Sequence, residues 1–536
     1  PQAETGTMMR AWNKLAVLAV AVGVVGITSN EEASAQSDNS VTLVSFDGFT
    51  QLRGELLDFD GGTYTIETVL GVIQVDGTKV NCEGAACPKD VLFGAEFGVY
   101  GSNTIGAELM PALLEGYADS LEAEFVLEVG SGSEQRVARI IHEDGREMAK
   151  IDLSAQGSSS GYRGIGEGLA EIAMSSRRMR DNDLSALAQA GVGELRDTEN
   201  EHIIGLDGLL AIVNSSNQIS SVSLEELALI FSGALTNWSQ LGGEDAPINL
   251  YALDDKSGTF QTFGALVLAP FGTDISPTAN RVVSNIKVSD SVAGDPNGIG
   301  VTSAAYERAA RALPIRQECG ILSYPTTFSM KSEEYPLSRR LYLYAAPNEI
   351  STHARQIIEF ATSEAAQPFV QEAGFVDQAI ERVSLGDQGE RLVHGLTVSQ
   401  ETPLQEFRRM VAQLRGAQRV SFTLRFAAGG SLLTKKSQAD IERLARLVAE
   451  GRFGNKEVLL VGFTDSVGLF DLNRGLSERR ARSVEDQLRN AVPPGALDGI
   501  QITSLGFGEM LPVGCNTNPQ GRGANRRVEV WLRDRS

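Results

Sequence analysis

The sequence predicts a multidomain protein: a small N-terminal β module, a long middle α/β domain and a second α/β domain at the C-terminus. Three observations predict it. The chain has 536 residues, more than one core holds at roughly 100 to 200 residues per domain. Residues 41–82 alternate apolar and polar in short runs broken by Asp-Gly and Gly-Gly, the pattern of hairpins. From residue 97 strand-like runs lead repeatedly into helical patterns, which is α/β texture.

The first 35 residues are set apart from the fold. PQAETGT precedes Met8 and reads as upstream translated sequence or a cloning remnant. Arg10 and Lys14 then flank an apolar run from Leu15 to Ile27, followed by Ala33, Ser34 and Ala35. A basic start, a short apolar stretch and an A-x-A site make a signal peptide, and the run falls short of the ~20 residues of a spanning helix. Cleavage after Ala35 and export as a soluble protein are expected. The net charge of −22 and pI near 4.8 repel phosphate backbones, which argues against nucleic acid as a partner.

The β module, residues 38–90, is expected as a small barrel or sheet, VTLVSF, LRGELLDF, YTIETV and GVIQV being its strands. It ends at NCEGAACP, where Cys82 and Cys87 are the expected disulfide, export permitting one. Cys319 and Cys515 fall in different domains and their pairing stays open. The four histidines are scattered, so no metal or other cofactor is expected.

Within residues 91–377, Ile105, Leu109, Leu113 and Tyr117 recur at spacings of four, one apolar helix face. Three stretches share a chemistry. GSNTIG offers Ser102 and Thr104, AQGSSSGY offers Ser158, Ser159 and Ser160, and DDKSGTF offers Ser257, Gly258 and Thr259. Each can present hydroxyls and amides to a tetrahedral oxyanion, and each can equally be a helix cap.

GSNTIGAELMPALLEGYA, GSSSGYRGIGEGLAEIAMSSR, the long segment from HIIGLDGLL to NWSQLGG, and DDKSGTF followed by SDSVAGDPNGIGV resemble the periplasmic phosphate-binding proteins of ABC importers. The resemblance implies a two-lobed, type II-like periplasmic-binding-protein fold that closes on phosphate or a similar oxyanion, with an ABC permease as a possible partner. Carried over, the anion contacts are Thr104, the Ile105 amide, Ser158, Ser176, Ser257, Gly258 and Thr259. Two positions depart from the pattern. Ser176 stands where the family has an aspartate, and Leu253 where it has an arginine before the SGT turn. Arg163 is the first candidate for the replacement cation, with Lys256, Arg177 and Arg178 behind it; all four also read as surface charges paired with nearby acids. Asp254 and Asp255 read as turn builders, and Asp207 as a turn or hinge residue.

Residues 378–415 read as a charged connector, and 416–536 as the last domain. There a buried strand, VLLVGF, runs to Thr464 and Asp465, and the following helix turns Leu476, Ala481, Val484 and Leu488 inward with Arg480 on another face. A carboxylate and a guanidinium so placed can bind a zwitterion, one group per charge, or bond to each other. Thr464, Asp465, Gly468, Asn473, Leu476, Ser477, Arg480 and Ala481, with Gly521, Arg522, Asn525, Arg526, Arg527, Val528 and Glu529 downstream, resemble the OmpA-like C-terminal domain family. That resemblance implies non-covalent peptidoglycan binding, with Asp465 and Arg480 holding the amine and carboxylate of diaminopimelate in the stem peptide and Arg522, Asn525 and Arg526 in support.

These readings join into an exported, non-enzymatic oxyanion receptor of a Gram-negative periplasm, associated with cell wall or outer membrane. The alternative is a tethered sensor or protein-interaction module with an altered oxyanion site. A hydrolase using Ser158 or Ser257 lacks an evident base.

Overall fold

The computed structural model describes residues 39–45, 50–59, 63–69, 71–77, 80–84, 86–88, 93–130, 134–197, 200–255, 257–346, 350–398, 403–427, 430–454 and 456–535. The expected signal peptide and Lys256 lie outside them. The chain divides into two units, Pro1–Pro88 and Lys89–Ser536.

The first unit is an antiparallel sheet of five strands, Ser40–Ser45, Gln51–Phe59, Thr63–Thr68, Gly71–Asp76 and Val80–Glu83. The fourth and fifth strands are its edges, so among the described residues it is an open sheet rather than a closed barrel. Val41, Leu43, Tyr64 and Ile66 are buried on one face, as a period of two requires. Cys82 and Cys87 are disulfide-bonded across the loop that leaves the last strand.

The second unit holds two lobes built on one eleven-stranded sheet. In the first lobe Ala95–Gly101, Glu147–Ser154 and Ile172–Ser175 run parallel, with Tyr100 opposite Ser154 and Gly101 opposite Met174. The segments leaving their C-terminal ends therefore emerge along one edge, which brings together Ser102 to Thr104, Ala155 to Ser158, and Ser176. Gly101 makes the approach possible: at φ 141° its α-carbon lies where an added Cβ would sit 2.0 Å from the Met174 carbonyl oxygen. Ile105, Leu109, Leu113 and Tyr117 all turn into this lobe's core, through a π turn at Ile105–Leu109 and the helix Met110–Ser120.

The lobes are joined by two antiparallel strands, Glu201–Val213 and Ser338–Ala345. The first half of Glu201–Val213 pairs with Ser338–Ala345 and the second half with Gly298–Ser303 of the second lobe. The change of partner falls between Gly208 and Leu209. Asn249–Leu253 lies beyond Gly298–Ser303 and leads to the turn before the helix Gly258–Phe263.

The C-terminal domain is a five-stranded sheet in the order Arg382–Ser384, Ala417–Arg425, Arg527–Asp534, Lys456–Phe463, Gln501–Gly506. Helices Lys435–Ala449 and Phe470–Ala491 cover one face, burying Leu444, Val448, Ala481, Val484 and Leu488. The expected connector belongs to this domain. Arg382–Ser384 pairs with Ala417–Arg425, and the helix Leu404–Leu414 buries Phe407, Met410 and Leu414 against Phe463, Phe507 and Trp531 on the other face. Its apolar stripe at helical spacing has to be covered, and this sheet covers it.

The C-terminal domain is also bonded to the second lobe. Cys319, on the hairpin Ile315–Ser323, forms a disulfide with Cys515. Arg425 donates to the Glu333 carbonyl at 2.8 Å, and Arg340, on the joining strand Ser338–Ala345, donates to Asp440 at 2.9 Å. Behind them lies a buried charge cluster in which Arg391, Arg419 and Arg527 surround Glu529, with Glu334 of the second lobe on Arg419.

Candidate functional site

In the lobe cleft, Thr104 and Gly258 meet from opposite lobes. An added Cβ on Gly258 would sit 1.7 Å from Thr104 Oγ1, so only glycine allows the SGT turn to come this close. Ser257 caps its helix, Oγ accepting from the Phe260 amide at 3.5 Å, and Thr259 is buried two residues further on. On the first-lobe edge Ser158 Oγ accepts from the Ser176 amide at 3.2 Å and lies 3.4 Å from Ser176 Oγ. Ile105 is buried at the start of the π turn. Tyr306 of the second lobe donates to Glu108 Oε2 of the first at 2.5 Å, a bond across the cleft. Burial and the Glu108 carboxylate push the Tyr306 hydroxyl up from its ordinary value, so it keeps its proton.

The cation at this cradle is Arg339. Its Nη2 donates to Thr104 Oγ1 at 2.9 Å, to Asp207 Oδ2 at 3.0 Å and to the Gly258 carbonyl at 3.3 Å, while Nε donates to Asp207 Oδ2 at 3.2 Å. Asp207 is 1% exposed and Arg339 14%. Of the four expected replacements, Lys256 is outside the described residues. Arg163 is exposed on the helix Ser158–Gly166. Arg177 pairs with Asp183 and donates to Ser159 Oγ at 3.0 Å, and Arg178 pairs with Glu201. Leu253 is packed in the second-lobe core, which accounts for its being apolar. Asp254 Oδ1 accepts from the Ser257 amide at 3.1 Å, a turn contact, whereas Asp255 pairs with Arg281 at 2.5 Å. Asp207 lies on a lobe-joining strand. One signal for Arg339 was in the sequence: SRRLYLYA sets two arginines at the head of an apolar strand. Alternation sends Arg339 to the cleft and Arg340 to the C-terminal domain.

In the C-terminal domain Asp465 and Arg480 do not bond to each other among the described residues. Asp465 Oδ2 accepts from Arg526 Nη1 at 2.9 Å, and Oδ1 from the Val467 amide at 3.2 Å. Arg480 is 1% exposed rather than on an outer face. Its Nε donates to the Gly430 carbonyl at 3.0 Å, and its guanidinium lies 5.2 Å from the Phe426 ring centre. Burial pulls its pKa down to about 10, against the opposing Asp465 carboxylate. Among the described residues Arg480 Nη1 and Thr464 Oγ1 are buried with no hydrogen-bond partner. Such atoms cost about 1 to 3 kcal/mol each unless something satisfies them. An anionic group on Arg480 would satisfy that nitrogen, whereas Asp465 already carries the Arg526 guanidinium.

The remaining residues build its walls. Asn473 donates to the Asp465 carbonyl at 3.3 Å and to Glu509 at 3.0 Å; Ser477 Oγ accepts from the Gly508 amide at 2.9 Å. Asn525 accepts from the Val513 and Gly514 amides at 2.8 and 3.0 Å, and Arg522 donates to the Asn516 carbonyl at 2.9 Å. Leu476 is half-buried. A separate cavity of about 1240 Å³, lined by Tyr324, Phe328, Arg391 and Arg419 among others, opens at the domain junction and includes none of the residues expected at either site. Among the described residues no cluster of His, Cys, Asp and Glu can hold a metal ion, and no helix is long and apolar enough to cross a membrane.

Comparison with known proteins divides along the same lines. A profile described as "PBP superfamily domain" matches residues 126–365, and one described as "OmpA family" matches 425–526. The chain is 29% identical over 236 residues to the phosphate-binding protein PstS of Borreliella burgdorferi, covering 42% of this chain and 79% of that protein. It is 25% identical over 296 residues to PstS of Pseudomonas aeruginosa, covering 52% and 90%. Over 112 residues it is 37% identical to outer membrane porin F of Pseudomonas aeruginosa, covering 21% of this chain and 31% of that protein.

Proposed function

We propose that this chain, which joins a PBP superfamily domain to an OmpA family domain, is an exported binding protein for phosphate or a similar oxyanion, held on peptidoglycan. One observation carries the receptor half: a guanidinium and a set of hydroxyls converge from both lobes on one cleft. The likeness to two proteins named for phosphate binding supports it. Closure of the lobes captures the anion, and no covalent step is involved. Among the described residues neither Ser158 nor Ser257 bonds a histidine or carboxylate through its hydroxyl.

The tether half rests on Arg480 Nη1 and Thr464 Oγ1, unsatisfied among the described residues, and on Asp465, which would exchange Arg526 for the amine of a zwitterion of the kind diaminopimelate presents in a stem peptide. Delivery to an ABC permease in a Gram-negative periplasm follows from the same reading. Isothermal titration of the full chain with phosphate, and co-sedimentation with purified peptidoglycan, test the two halves separately. No heat in the first or no pelleting in the second rejects the corresponding half.

A second reading, a wall-tethered sensor or interaction module, is favoured by the internal neutralisation of Arg339 by Asp207. Titration heat with any tetrahedral oxyanion counts against it.

A further inference from the structure

We propose that Arg339 is the cation of the oxyanion site, and that the site selects tetrahedral dianions by charge and shape rather than by protonation, taking sulfate about as readily as phosphate. The proposal rests on the oxyanion reading above. It begins with what each polar group at the cleft already does.

Arg339 spends Nη2 and Nε on Thr104, Asp207 and Gly258. Its Nη1 donates to nothing among the described residues and is not among the buried unsatisfied atoms, so it keeps two protons for an incoming anion. The fixed arms hold that donor fork in one orientation, which is the preorganisation that makes guanidinium recognition strong.

The hydroxyls are committed in the same sense. Thr104 Oγ1 accepts from Arg339, Ser158 Oγ from the Ser176 amide, and Ser257 Oγ from the Phe260 amide. An oxygen that accepts keeps its own proton to give. All three segments therefore present donors.

The buried carboxylate is engaged. Asp207 Oδ2 receives two bonds from Arg339 and Oδ1 one from Ser303. Asp254 holds the Ser257 amide and Asp255 holds Arg281. No carboxylate at the cleft is both buried and uncommitted, since Glu108, Asp254 and Asp255 are exposed. Hydrogen phosphate must then leave its hydroxyl to water, while sulfate has none to place.

The test is isothermal titration of the full chain at neutral pH with inorganic phosphate and with sulfate. The expected result is dissociation constants within about tenfold of each other, since no buried acceptor distinguishes the two. Arg339→Gln is expected to weaken both by about 10- to 100-fold, the loss of one charge-assisted contact. Because Arg339→Gln alone leaves Asp207 buried and unpaired, the double variant Asp207→Asn, Arg339→Gln is measured beside it, with circular dichroism to establish folding. Wild-type affinity in the folded double variant overturns the role of Arg339. Phosphate bound more than about 100-fold tighter than sulfate overturns the selectivity. A wild-type chain that takes neither anion overturns the oxyanion reading itself and this proposal with it.

Discussion

Arg339 and Asp207 stand opposite each other on the two strands that join the lobes, in direct register and linked by bonds of 3.0 and 3.2 Å. Removing one partner of such a buried pair strands the other charge, at about 3 to 5 kcal/mol. Asp207→Asn is therefore expected to lower the receptor domain's calorimetric transition by several degrees. The apolar double variant Asp207→Leu, Arg339→Leu is expected to recover most of that loss, because no charge is left behind. Equal destabilisation by the single and double variants would count against a pairing role.

The Tyr306 to Glu108 bond spans the cleft. Tyr306→Phe deletes it for a net cost of about 1 kcal/mol, or roughly fivefold in a closure-coupled affinity. Weaker oxyanion binding, together with a larger radius of gyration in small-angle scattering, is the expected pair of results.

Arg480 is buried over Phe426 with one nitrogen unsatisfied, so its role in stability and its role in binding separate. Arg480→Met is expected to leave the C-terminal domain at least as stable, since a desolvated charge is removed, and to abolish co-sedimentation with peptidoglycan. Asp465→Asn is expected to lose binding and also some stability, because Arg526 loses its partner.

Glu529 supplies the acid sensitivity. Burial raises its pKa, and the guanidiniums of Arg391, Arg419 and Arg527 outweigh that and hold it well below the ordinary carboxylate value of 4.5. Because the folded pKa is depressed, its stabilising contribution is complete above about 4.5, the unfolded value, and is lost as pH falls further. Urea midpoints measured from pH 7 to pH 3 are expected to drop below that point, and to drop less steeply in Glu529→Gln from a lower starting value.

The Cys319 to Cys515 bond closes a loop of 196 residues. Loops of this size gain roughly 5 kcal/mol from cross-linking in the chain-entropy account. Cys319→Ser with Cys515→Ser is expected to lower thermal stability and to raise amide exchange in Ile315–Ser323 beyond that of the bonded chain.

What was legible in the sequence is local. Ile105 to Tyr117 announced a buried face by spacing alone, and Ala481, Val484 and Leu488 did the same for the C-terminal helix. Both depend only on a period of 3.6. Arg339 was missed because its partner Asp207 is 132 residues away, and nothing in the intervening chain encodes that two strands will lie in register. Arg163 was preferred for its nearness to the serine loop along the chain; the helix that begins there turns it to solvent. The Leu404–Leu414 stripe was readable as a helix, but which surface would cover it was not, so the segment looked like a connector. Leu253 looked anomalous only while its side chain was assumed to face the cleft.

The placement of the second disulfide has a mechanical consequence. Cys319, Glu333 and Glu334 are all on the second lobe, and all are fastened to the C-terminal domain. A pull on the C-terminal domain therefore enters the second lobe through these bonds, and through Arg340 on Asp440 it also reaches the joining strand Ser338–Ala345. The disulfide makes the second lobe the more firmly held jaw, while the first lobe is tied to the same domain by Arg452 on Glu364 and by the chain that leaves Gln367–Glu372.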